Sequence, residues 1–138
     1  MAAAAAGILH PRAVMAAWPK AAFGADTTAD AIAKLFGASD AAPSSEIKIK
    51  APDIAENGAV VPVTVSTTLK DVESIAIIAE KNPSPLAAAF NLGETANGFI
   101  STRIKMGKTS NVVAVVKAGG KLYSASKEVK VTIGGCGG

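Results

Sequence analysis

Val61-Pro62-Val63-Thr64-Val65-Ser66 alternates apolar and polar residues with a period of two, the signature of a strand that buries one face. Upstream, Ile47 and Ile49 alternate with Lys48 and Lys50 after a Pro43-Ser44-Ser45 linker. Downstream, Ile75 and Ile77, Leu86 to Phe90, Phe99 to Ile104, Val112 to Val116, and Val129 to Ile133 give further strand candidates. Asn57-Gly58, Asn82-Pro83-Ser84-Pro85, Asn97-Gly98 and Gly119-Gly120 separate them, all residues that tolerate or impose turn dihedrals. About seven short antiparallel strands at this spacing, with no helical pattern between them, predict an all-β protein, a two-sheet sandwich of immunoglobulin-like type. Pro62 has no N–H to give a ladder, so it predicts a sheet edge or a bulge for its own strand.

The one helical pattern lies ahead of the strands. Thr27 or Thr28 can cap it, Asp30 sits in its first turn, Ile32, Leu35 and Phe36 share a face, and Gly37 ends it. A short amphipathic helix over 28–36 is expected to lie on the sandwich.

The chain has 138 residues, 49% of them hydrophobic, which suits one domain with a real core. Aromatics are only 4%, so the core must be packed from Val, Ile, Leu and Ala. The formal charge is +3, but no run of Lys or Arg forms the patch that nucleic acid requires. Residues 1–25 contribute Arg12 and Lys20 and no acid, and without them the balance falls to +1. This alanine-rich stretch ends in Ala22-Phe23-Gly24 before the polar Asp26-Thr27-Thr28. It reads as an export signal or the remnant of one, too broken to span a bilayer; an N-terminal extension kept in the mature protein is the alternative. The expected organisation is thus a leader at 1–25, a sandwich with its N-terminal helix at 26–133, and a tail at 134–138.

Little catalytic chemistry is possible in 26–138. The only histidine is His10 and the only tryptophan Trp18, both in the leader, and the only cysteine is Cys136. Without imidazole and with one thiol, neither a Ser-His-Asp or Cys-His pair nor a Cys and His zinc site can be assembled. Glu73, Glu80 and Glu94 are scattered and repeat no calcium-binding spacing. Gly119-Gly120 lacks the lysine and the strand-to-helix context of a phosphate loop. No catalytic residue, metal or cofactor is expected.

There remains Gly134-Gly135-Cys136-Gly137-Gly138. Glycine on both sides of the thiol predicts a slim, mobile arm, able to hold Cys136 on the order of 10 Å from the sheet. An incidental cysteine in a disordered tail is the bland reading. Against it, a free thiol at a mobile end of an exported protein invites oxidation and needs a use. Only Gly137 and Gly138 follow Cys136, too few for prenylation. Lys127 and Lys130 are offset by Glu128 and the terminal carboxylate, so the thiol is expected near its reference pKa of ~8.5. Such a group is a covalent attachment point that other proteins must activate.

Five stretches carry a resemblance: Ala55-Glu56-Asn57-Gly58 with Val61-Pro62-Val63-Thr64-Val65, Ala79-Glu80-Lys81-Asn82-Pro83, Ser101-Thr102-Arg103-Ile104, and Val129-Lys130-Val131-Thr132-Ile133 before the glycine-flanked cysteine. From about Ala29 to Gly138 the chain resembles the SoxY family, sulfur carriers of the bacterial thiosulfate-oxidising Sox system. The resemblance implies a periplasmic immunoglobulin-like protein that forms a heterodimer with a SoxZ-like β-protein. It implies that a c-type cytochrome joins Cys136 oxidatively to thiosulfate as a cysteine thiosulfonate. A hydrolase would then release sulfate, and a sulfur dehydrogenase would oxidise the remaining sulfane sulfur. Exported members usually carry a twin-arginine signal, whereas this leader has only Arg12, so either its start is truncated or export takes another route. Two other readings stand beside this one. The first is a ubiquitin-like carrier activated at its terminal Gly-Gly as a thiocarboxylate; the second is a structural immunoglobulin-like module pairing through Val61 to Ser66.

Overall fold

The computed structural model describes residues 20–93 and 97–133. Helices α1 (Lys20–Phe23) and α2 (Thr28–Phe36) precede nine strands: β1 (Ala42–Pro43), β2 (Ile47–Lys50), β3 (Ile54–Ala55), β4 (Val61–Thr67), β5 (Val72–Ala79), β6 (Leu86–Asn91), β7 (Phe99–Ile104), β8 (Ser110–Ala118) and β9 (Lys121–Val131). One sheet runs β1-β9-β8-β5-β6, with β3 also on β9; the other runs β2-β4-β7. This is the expected sandwich.

The period-two pattern of β4 becomes its packing. Val61, Val63 and Val65 are buried, and they meet Ile75 and Ile77 of β5, Val112 and Val116 of β8, and Ile100 and Ile104 of β7 in one core. Burial in β5 does not alternate, because Ile75 to Ala79 are all inaccessible. Its other face is covered as well: Ala76 and Ile78, with Leu86 and Val115, pack against Ala22, Ala25, Ala31 and Ile32. A strand buried on both faces reads as a continuous apolar run.

Helix α2 forms as its sequence directs. Thr27 Oγ1 accepts from Asp30 N–H at 3.1 Å, Lys34 pairs with Asp30 at 3.0 Å, and Gly37 closes the helix at φ 82°, a left-handed cap that glycine adopts without strain. The leader expectation for 1–25 falls largely on residues 1–19, outside the described residues. Within the remainder, α1 is helical and Ala22 and Ala25 are buried.

Three findings depart from the sequence reading. Strand β4 is central in its sheet, not an edge. Pro62 is accommodated because β2 pairs only with Thr64 to Thr67, leaving Pro62 opposite Arg103 of β7 alone, so that half of the strand has one open flank. The last strand begins at Lys121 and runs through Val131, much longer than Val129 to Ile133. It starts directly after Gly119 and Gly120, whose φ values of 57° and 78° make the tight hairpin from β8. Finally, not every neighbour is antiparallel: β1 and β3 both run parallel to β9. They cover its outer flank at Tyr123-Ser124 and at Lys130-Val131, where a bare edge would template other chains.

Because Ile77 is fully buried between the sheets, Ile77→Ala should lower unfolding free energy by about 2–5 kcal/mol. Lys48→Ala, on an exposed position of β2, should change it by less than about 0.5 kcal/mol. Urea titration of both variants checks the pair.

Candidate functional site

Cys136 and its flanking Gly134, Gly135, Gly137 and Gly138 lie outside the described residues, as do His10, Trp18 and Glu94. The structure places the point from which that tail departs, Ile133.

Strand β8 reaches only as far as Ser110, which pairs with Val129. Past Val129 the amides of β9 alternate between two flanks, as a strand requires. Lys130 N–H donates to Asp53 O at 3.0 Å and Thr132 N–H to Ala55 O at 3.1 Å. Between them Val131 N–H donates the other way, to Thr109 Oγ1 at 2.9 Å. A side chain stands in here for the backbone acceptor that β8 would have offered had it begun two residues earlier. The Thr132 hydroxyl donates to Glu56 O at 2.9 Å, and Gly58 N–H donates to Ile133 O at 2.7 Å.

Segment 53–58 is turned to make these contacts. Asn57 Oδ1 accepts from Ala59 N–H at 2.9 Å, an Asx turn, and Val60 N–H reaches Asn57 O at 3.3 Å. The turn leaves Gly58 bonded on both sides, since its carbonyl accepts from Met106 N–H at 2.7 Å while the Met106 side chain fills the core. Asn82 ties in a third loop: Nδ2 donates to Lys105 O at 2.8 Å and Oδ1 accepts from Gly107 N–H at 2.9 Å. Ile133 is therefore the end of a hydrogen-bonded belt that runs through Gly58 and Met106 to Asn82.

Charge at this end centres on Lys127 and Asp53, with Nζ 2.6 Å from Oδ1. The hydrogen bond and the positive charge of Lys127 hold the Asp53 carboxyl below its ordinary value, against a small opposing effect of burial. At this end of the protein Ile54, Val60 and Ile133 are each more than half exposed. Among the described residues no three of His, Cys, Asp and Glu converge as a metal site, and no helix is long and apolar enough to cross a membrane.

Of the residues that organise the exit, Asn57-Gly58 was legible as a turn and Asn82 as part of a Pro-containing loop. Asp53, Thr109 and Thr132 were not, because β3 is two residues long and shows no period. The one available signal was the Asn-Gly pair, which marks a turn without saying what it holds.

Fold and exit together define a small immunoglobulin-like sandwich whose last strand, anchored on both flanks, leads into a tail bearing the chain's single thiol. The chain belongs to the SoxY family, whose model, described as sulfur oxidation protein SoxY, matches residues 32–136. The sulfur carrier protein SoxY from Chlorobium limicola f thiosulfatophilum has a solved structure that is 51% identical to this chain, covering 75% of this chain and 94% of that one, with a TM-score of 0.68. A superoxide reductase (neelaredoxin) from Ignicoccus hospitalis covers 62% of this chain and 79% of its own at 21% identity and a TM-score of 0.55, a likeness of fold alone. No curated protein matches the sequence.

The Asp53–Lys127 pair makes stability depend on pH in a stated direction. The folded-state pKa of Asp53 is depressed from 3.8, so the contribution is complete above that value and is lost as pH falls through the lower folded value. The stability difference between the wild type and Asp53→Asn should therefore be present at about pH 7 and shrink at about pH 3. It should also shrink in about 1 M salt, since Asp53 is exposed. Urea midpoints under the three conditions measure it.

Proposed function

We propose that this protein is a covalent carrier of sulfur intermediates in thiosulfate oxidation, with Cys136 as the attachment point. The observation that carries the reading is that the sole thiol of the chain lies three residues beyond Ile133, in a chain half identical to a sulfur carrier.

In this reading the Cys136 thiol gives up its proton, and its Sγ forms a disulfide-type bond with the terminal sulfur of thiosulfate. The two electrons released pass to a c-type cytochrome, leaving a cysteine thiosulfonate. A hydrolase then adds water at the outer sulfur, so that sulfate leaves and the sulfane sulfur stays on Cys136. A sulfur dehydrogenase oxidises that sulfur while it is still attached, water supplying the oxygens and the electrons passing to the dehydrogenase's acceptor. Hydrolysis of the resulting cysteine S-sulfonate releases a second sulfate and restores the thiol. No activating base has to come from this chain, which fits a thiol whose neighbours in sequence offset one another in charge. The enzymes activate the water and supply the electron acceptors. The sandwich supplies a fixed body, and Gly134, Gly135, Gly137 and Gly138 supply a tether with no side chain to obstruct a narrow channel.

The same reading sets the protein in the periplasm, as a heterodimer with a SoxZ-like β-protein. The exposed apolar side chains of Ile54, Val60 and Ile133 suit a surface that receiving enzymes would meet.

In a reconstituted system containing thiosulfate and the partner proteins, Cys136→Ser should abolish thiosulfate-dependent reduction of the cytochrome. Its urea midpoint should match the wild type. Full activity in Cys136→Ser would exclude the carrier role. Deletion of residues 134–138 separates this reading from a purely structural module, because the carrier loses all turnover and the module keeps its partner affinity and its role.

A further inference from the structure

We infer that segment 53–58 and Thr109 form a clip that fixes where the thiol-bearing tail leaves the fold, with Thr132 as its positioning residue. The inference rests on the carrier reading above.

Two flanks between them hold residues 130–133, three on one side and one on the other. On one side Asp53, Ala55, Glu56 and Gly58 engage Lys130, Thr132 and Ile133 through backbone groups and the Thr132 hydroxyl. On the other, Thr109 Oγ1 holds Val131. Neither flank is a continuation of the main ladder, whose last pair is Ser110 with Val129. Without them the sheet would release the chain at Val129, and the separation between the last anchored residue and Cys136 would lengthen from three positions to seven.

That length matters for a carrier. The covalent chain sets the outer limit of reach at ~3.3 to 3.6 Å per residue, so the clip confines the thiol to roughly 10 Å from Ile133. For an enzyme docked on the body, the effective concentration of a tethered group falls roughly as the −3/2 power of tether length. Opening the clip to Val129 should therefore lower it about three- to fourfold. The clip keeps the tether short enough to be concentrated at the docked site, and Thr132 is suited to lock it because its backbone and its side chain both bond to the clip segment.

The test uses the full chain in its complex. Thr109→Val with Thr132→Val removes one acceptor and one donor at nearly unchanged volume, while Thr132→Ser keeps the hydroxyl. Hydrogen exchange at Lys130, Val131 and Thr132 should rise about tenfold in the double variant, with β5 amides unchanged. With the enzyme that couples thiosulfate to the thiol, kcat should fall, with about three- to fourfold as the limit for a clip opened fully to Val129, and KM for the carrier should stay constant. The rate with a small disulfide reagent, 5,5′-dithiobis(2-nitrobenzoate), should not change, and Thr132→Ser should behave as wild type. Three glycines inserted after Ile133 should lower kcat about threefold with the clip intact. Unchanged exchange in the double variant, or raised exchange with unchanged kcat, overturns the clip. An active Cys136→Ser variant overturns the carrier reading instead and leaves the exchange result standing.

Discussion

Past Val129 the last strand has no antiparallel neighbour left, and the N–H groups of Lys130, Val131 and Thr132 need acceptors from elsewhere or must turn to water. That requirement organises one whole end of the molecule. It explains why the chain between β2 and β4 detours to lay two residues parallel to β9. It explains why an Asx turn follows them at Asn57, and why a threonine precedes β8. The loops at this end are bound to one another through Gly58, Met106 and Asn82, and this network reaches the last described residue, Ile133.

The remainder of the fold is a densely packed body behind that exit. Strands β5 and β8 lie between two apolar layers, the facing sheet on one side and α1 with α2 on the other. Core residues of both strands are inaccessible, and such interiors pack at crystal-like density and deform little. In the proposed carrier role, labour would divide between proteins: the sandwich would be recognised, and the Cys136 thiol would be acted upon. A strongly activated thiol would suit this arrangement poorly, because it would react before reaching its enzymes.

Much of this could be read from residues alone. The alternation in Val61 to Ser66 and in Ile47 to Lys50 carried straight into buried and exposed faces, and Thr27 and Gly37 bounded α2 as their chemistry implies. The reading went astray where tertiary context overrode a local rule. Pro62 argued for an edge, yet its strand is central, because the missing N–H matters only where β2 would have needed it. The first half of β9, Leu122-Tyr123-Ser124-Ala125-Ser126, mixes small polar and apolar residues and is only partly buried, so no period announced a strand. The clip was illegible for another reason. It is built from backbone groups of two-residue strands and from single threonines, and backbone hydrogen bonds leave almost no mark on side-chain pattern. Cys136 and its four glycines stood out in the sequence by type and position alone.

Cys136 as the site of covalent attachment is tested most directly by fragment mass spectrometry of the protein after incubation with thiosulfate and its oxidising partner. The account requires a mass increase of one thiosulfate less the thiol hydrogen, located on Cys136 and removed by a thiol reductant. A protein that turns over thiosulfate while Cys136 stays unmodified, or whose adduct maps to any other residue, would contradict it.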